Sequence, residues 1–335
     1  MKKILNNPKN FVNEMLEGTI KAHPEQLTYV NNDIRCIVKK NLNKKKVALA
    51  SGGGSGHLPL FMGYVGEGML DGCSVGGVFQ SPSSEQMLNV TKAIDKDEGV
   101  LYIYGNYSGD ILNFEMAMEM AEIEGIKVEQ VICADDIASA PKGEENKRRG
   151  VAGIFFVYKI AGACADTGAS LKEVTEIAIK ASNNVRTIGL ALSPCVVPEV
   201  GKPLFALKDD EISLGMGIHG EPGISIEKIK PSDEIVNEMM EAILKDHEIN
   251  KNDEASILIN GLGATPKEEL YIVSRGIHQI LEKNKINVYN TYVGEFATSM
   301  EMAGFSISIL KLDEELKEYL AKPVNTPFFK QFELK

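Results

Sequence analysis

Cysteine is scarce and scattered in this chain of 335 residues. Cys36, Cys73, Cys133, Cys164 and Cys195 are odd in number and never spaced as CxxC. That excludes a disulfide framework and a cysteine-based zinc site. Three sit in small or apolar stretches (VICAD, AGACAD, LSPCVV) and read as small buried hydrophobes. Long apolar runs are missing too, and none approaches the roughly 20 residues of a membrane span. The opening MKKILNNPKN has three lysines but no apolar segment after them, so no secretory signal is expected and the expected location is cytoplasmic. Positive charge is in deficit: the net charge is -11, which repels a phosphate backbone and argues against direct binding of nucleic acid. A basic partner could still carry the chain to DNA.

Hydrophobic residues make up 44% of the chain, ordinary for a globular protein, and the length suggests two domains. Short branched apolar runs alternate with helical patterns. VALA (47–50), VLYIY (100–104), VEQVIC (128–133), IGLAL (188–192), SILIN (256–260) and SISIL (306–310) read as buried strands. Helical patterns follow Pro82, start at Ile111, and run on from Gly150, with Gly125 and Gly168 as C-terminal stops. The alternation predicts two α/β domains with mostly parallel or mixed sheets. The junction is placed near 185: an N-terminal domain 1–185 with a glycine-rich ligand loop, and a C-terminal domain 186–335 opening its first helix with Ser232 as cap. The polar segment 142–150 reads as a mobile surface loop.

Three segments carry candidate chemistry. Ser51-Gly52-Gly53-Gly54-Ser55-Gly56-His57 reads as a turn after the first buried strand, where backbone N–H groups could approach a ligand. It lacks the Gly-Lys-Ser/Thr end of a phosphate loop, and Pro59 delays any helix that could receive a phosphate. A small neutral polyol, held by backbone and Ser55, fits better; a tight structural turn is the bland alternative. Gly105-Asn106-Tyr107-Ser108-Gly109-Asp110 follows another strand, so Asp110 is either a helix N-cap or a carboxylate for a hydroxyl. Gly215–Gly223 is a second glycine-rich cluster with a histidine, His219, whose neutral ring could add to a ketone while Glu221 orients it. His23, His247 and His278 read as surface or structural.

Together SGGGSGH, GYVGEGML, SPSSEQ, NYSGDILNFEMA, RRGVAG, LSPCVVPEVGKP, GMGIHGEPG and YVGEFATSMEMAGFSISILKLD resemble the substrate-binding subunit of dihydroxyacetone kinases, in that family's order over nearly the whole chain. The resemblance implies a homodimer that binds its ketose as a hemiaminal on His219. It implies that His57 hydrogen-bonds the substrate and assists proton transfer, and that Asp110 contacts and activates a hydroxyl. Gly54, Ser55 and Gly56 match the loop that wraps the substrate, and Gly105 flanks Asp110. No metal or cofactor is expected on this chain; ADP or ATP and Mg would sit on a partner subunit.

The chain also departs from that family. Leu58, Leu60 and Phe61 replace an acid, a small residue and a histidine; Gly105 replaces a lysine; Gln80 replaces an alanine. Losing a cation beside a phosphoryl acceptor can cost several kcal/mol in a dry site. If Leu58, Leu60 and Phe61 are exposed, they suit a different protein partner; if buried, they repack a core. The first expectation is therefore a ligand-sensing co-activator that works with a TetR-type transcription factor. The alternative is the substrate-binding subunit of a phosphoenolpyruvate-dependent dihydroxyacetone kinase, or of a kinase for a related ketose such as erythrulose. Whether the chain is an enzyme stays open at this point.

Overall fold

The computed structural model describes residues 2–42 and 44–335. The first half forms a six-stranded sheet from β1 (Leu27–Val30), β2 (Asp33–Lys39), β3 (Ala48–Ser55), β4 (Gly72–Val78), β5 (Val100–Gly105) and β6 (Val128–Cys133). Their spatial order is 1-2-4-3-5-6, parallel from β4 to β6 and antiparallel at β1 and β2. The chain leaves β3 toward β4 on one side and returns to β5 on the other. That reversal opens a crevice at the carboxyl ends of the strands.

Helix α1 (Phe11–Ala22) covers one face of this sheet. On the other face lie α2 (Ser84–Ile94) and α3 (Ser108–Ile123). Ser83 starts α2 with a capping box to Gln86. Helix α4 (Ile154–Asp166) packs on the α1 side and is buried on nearly every flank, with one interior lysine, Lys159, donating to the carbonyl of Lys322. Helix α5 (Leu171–Asn183) packs beside it, and Gly125 and Gly168 adopt positive φ just after α3 and α4.

The second sheet is also six-stranded: β7 (Val185–Ala191), β8 (Glu211–Leu214), β9 (Ser225–Lys228), β10 (Glu254–Gly261), β11 (Asn287–Gly294) and β12 (Gly304–Leu312). Its order is 11-10-12-7-8-9, and only the β10–β11 pair is parallel. One face is covered by α6 (Ser232–His247) and α7 (Lys267–Lys283). The other face joins the core around α4 through Leu258, Tyr292 and Leu310. Helix α8 (Glu314–Ala321) and the tail return to the first half, where Asn325 bridges Glu67.

Several expectations need correction. The glycine-rich segment is mostly strand: β3 runs through Ser55, buried along its whole length, because its glycines let neighbouring chain lie on it. A Cβ on Gly53 would meet the Phe61 ring at 2.2 Å, and one on Gly54 would meet the backbone of Phe79 and Gln80. Ser232 is the first residue of α6 and makes no capping hydrogen bond. The segment 142–150 is exposed only through Lys147. Arg148 is fully buried, paired in two hydrogen bonds to Asp246.

Leu60 and Phe61 are buried, and half-buried Leu58 packs against the same core. They do not form an apolar mouth for a partner. All five cysteines are buried and free.

Candidate functional site

The crevice brings His57, Asp110 and His219 together from three separate segments. His57 follows β3 and is fully buried. Its Nδ1 lies 2.8 Å from the carbonyl of Thr298, in the β11–β12 connection. A carbonyl can only accept, so Nδ1 carries the proton. Burial first, then the nearby His219, pushes the His57 pKa down to about 3. The ring is thus neutral, and Nε2 presents a lone pair. The ring stacks on Phe79 with centroids 4.8 Å apart. Phe79 itself holds a positive φ of 58°, an unusual backbone state for an aromatic residue.

Asp110 is the third residue of α3, not its cap; Tyr107 occupies the cap position. The Asp110 carboxyl is buried, and Oδ1 has no hydrogen-bond partner among the described residues. Burial raises its pKa from 3.8 to about 6, against the opposing pull of Ser81 and His219. That value suits a base working near neutrality.

His219 lies in the loop from β8 to β9, with about a quarter of its side chain exposed. Its Nδ1 is 3.0 Å from Glu221 Oε1, and its backbone N–H donates to Oε2 at 2.9 Å. Glu221 accepts at Nδ1, so whenever the ring is neutral its lone pair falls on Nε2. Burial would raise the Glu221 pKa, but the hydrogen bond and charge of His219, with Arg149 behind them, outweigh it and hold the carboxyl at about 2. Three rings stand edge-on to the His219 ring: His57 at 4.7 Å, Tyr107 at 4.7 Å and Phe79 at 5.2 Å.

Four buried side-chain atoms lack a partner among the described residues: His57 Nε2, Tyr107 Oη, Asp110 Oδ1 and Ser256 Oγ. The first three belong to this one cluster. Buried polar groups are nearly always satisfied, so such clustering marks a place built to receive a polar ligand. Tyr107, Phe79 and Arg149 were not singled out by the sequence. The signal for Tyr107 was its position at the end of a parallel strand; Phe79 and Arg149 offered none.

The glycine loop contributes differently than expected. Ser55 Oγ donates to the carbonyl of Gly76 at 2.9 Å, so its proton is already committed. Gly56 has φ of 104°, and a Cβ there would meet Phe79 at 2.7 Å and Met300 at 3.0 Å. Gly54 lies against the Phe79–Gln80 backbone, and Gly105 beside Gly150 and the Tyr107 ring. The remaining histidines lie elsewhere. His247 is bonded to the carbonyl of Asn184, His278 to Thr291, and His23 leans on Phe328. Among the described residues no group of three or more His, Cys, Asp or Glu is placed to hold a metal ion. No helix there is long and apolar enough to cross a membrane.

Comparison with known proteins adds the family. The Dak1 domain model matches residues 17–328. A Listeria innocua protein named "PTS-dependent dihydroxyacetone kinase 1, dihydroxyacetone-binding subunit DhaK" is 46% identical over 327 residues, covering 97% of this chain and 99% of that protein. The D-erythrulose kinase of Mycolicibacterium smegmatis is 39% identical over 331 residues, 99% of this chain but 57% of that protein. Among solved structures, the "Dihydroxyacetone kinase operon co-activator Dha-DhaQ" is 34% identical with a TM-score of 0.89, covering 96% of this chain and 98% of that one.

Proposed function

This chain belongs to the Dak1 domain family, and from that premise we propose that it captures a small hydroxy-ketone of the dihydroxyacetone type as a hemiaminal on His219. The observation that carries the reading is the meeting of a partly open imidazole with the orphaned atoms His57 Nε2 and Asp110 Oδ1. The Nε2 lone pair of His219 attacks the carbonyl carbon, and the π pair moves onto oxygen. The oxygen gains one proton and the imidazole loses one from Nδ1, so the addition is neutral overall and reversible. His57, as an acceptor, takes a hydrogen bond from the ligand; in this resting state it does not donate. Asp110 accepts from a terminal hydroxyl and can remove its proton.

The full role best supported is the ketose-binding subunit of a phosphotransfer-dependent kinase. A pure sensor has no need of a buried carboxylate raised to about 6, whereas a phosphoryl acceptor needs such a base. The Listeria subunit, nearly the same length at 46% identity, supports the same reading. The nucleotide and Mg would then be held by a partner subunit, and the chain would work as a homodimer. The co-activator of a TetR-type transcription factor is the second reading. Burial of Leu60 and Phe61 removes one argument for it, but Gly105 still leaves no side-chain cation at its position. The likeness to the co-activator structure adds to it.

A turnover assay separates the two. The chain is mixed with the nucleotide-binding and phosphocarrier subunits of its own host, phosphoenolpyruvate and dihydroxyacetone. Sustained loss of the ketone supports the kinase subunit. No turnover, with an adduct still present on His219, overturns that role in favour of the co-activator.

A further inference from the structure

We infer that Arg149 is a positioning residue that sets the tautomer and orientation of His219 through Glu221. The inference rests on the reading of His219 as the attacking group. Arg149 lies at the end of the segment 142–150, in the first half of the chain, and reaches across to the loop that carries His219. It has three attachments. Nε and Nη2 meet Asp136 Oδ2 at 2.8 and 2.7 Å, Nη2 donates to the carbonyl of Gly215 at 3.0 Å, and Nη1 lies 3.9 Å from Glu221 Oε2.

The first attachment fixes the guanidinium. Asp136 is buried, and its own backbone N–H donates to the carbonyl of Arg149. The second fixes the start of the catalytic loop. The third places a positive charge behind a carboxylate that already grips His219 at two points. Partial burial would otherwise favour protonation of this carboxyl and loosen its hold on Nδ1. With Arg149 in place it stays an acceptor, and an acceptor at Nδ1 keeps the lone pair on Nε2.

The loop backbone is shaped around this contact. A Cβ on Gly217 would lie 2.1 Å from Glu221 Oε2 and 2.5 Å from Arg149 Nη1. Only glycine lets the chain pass so close to both charges. Tyr107 closes the other side, its ring edge-on to His219. The titratable groups around the pair are Arg149, Asp136, Asp110, His57 and Tyr107, and Arg149 is the only permanent cation among them.

The test reads the tautomer directly, before any ketone is added. Protein labelled with 15N at histidine is examined by long-range proton–nitrogen correlation, as wild type, Arg149→Gln and Arg149→Lys. The wild type should show two clearly different His219 ring nitrogens. In Arg149→Gln the two should converge, and the fraction of protein carrying adduct at a fixed, subsaturating dihydroxyacetone concentration should fall about tenfold, the loss expected for one charge-assisted contact. Arg149→Lys should lie between them. Folded Arg149→Gln with unchanged nitrogen shifts and unchanged adduct fraction overturns the inference. Should that variant not fold, Asp136→Asn, which loosens Arg149 without removing its charge, decides on the same two readouts. Distinct nitrogens in a wild type that forms no adduct would sink the covalent reading and leave the role of Arg149 standing.

Discussion

His57 and His219 stand with ring centroids 4.7 Å apart and planes at 82°, yet they live in different environments. One is fully buried and bonded to a carbonyl; the other is partly open and bonded to a carboxylate. The difference divides the labour. His57 carries its proton at Nδ1 against a carbonyl, and the neutral form of His219 does so against Glu221, so each then turns an Nε2 lone pair to its surroundings. In the proposed capture, access to a ligand suits His219 to attack, and enclosure suits His57 to accept a hydrogen bond.

Asp110→Asn separates capture from turnover. The amide keeps a polar group in place but cannot take a proton. Adduct formation should survive with weakened affinity, while phosphoryl transfer should fall by at least about a hundredfold, the usual worth of a general base. An enzyme assay and a binding titration on the same variant check this.

The same residue controls stability. The folded-state pKa of Asp110 is raised from 3.8 to about 6. The folded state therefore holds its proton more tightly, and stability is lost as pH rises from 3.8 through 6. Above that window the ligand-free protein carries a penalty of about 3 kcal/mol, which Asp110→Asn removes. Denaturant unfolding of both proteins at pH 5 and pH 8 should show the gap about half open at pH 5 and fully open at pH 8.

Much of this was legible in the sequence, and the exceptions share a cause. Strands at 100–104 and 128–133 were read to within a residue: the first is a continuous buried apolar run, and the second keeps branched residues at Val128, Val131 and Ile132. Strands β1, β2, β4, β8, β9 and β11 were missed: most are partly exposed and carry no such run, and β4 is largely buried but broken by three glycines. The strand character of residues 51–55 was hidden by glycines, which favour strands poorly and are present because Phe61 and Phe79 lie on them. His57, Asp110 and His219 could be found because each ends a strand or sits in a glycine-rich loop. Arg149 could not, since a charged residue in a polar segment looks like surface until its partners, distant in sequence, are known.

Phe61→Ala tests the core placement. Its ring fills the space above Gly53 and touches the His57 environment. Removing a buried phenyl ring should cost about 3–5 kcal/mol. A loss below about 0.5 kcal/mol in denaturant unfolding, the range of surface substitutions, would place Phe61 on the surface instead.

Gly217→Ala should damage the site and spare the fold. The added methyl displaces Glu221 or Arg149, so adduct formation drops while the melting temperature moves little. Circular dichroism melting, paired with intact-mass spectrometry after ketone addition, measures both.

The central claim is the bond to His219. Dihydroxyacetone labelled with 13C at its carbonyl carbon, added to protein labelled with 15N at histidine, tests it most directly. A new carbon resonance in the hemiaminal range, split by one directly bonded nitrogen and absent from His219→Ala, is the predicted result. Only free and hydrated ketone in the wild type, or the same split resonance in His219→Ala, would contradict it.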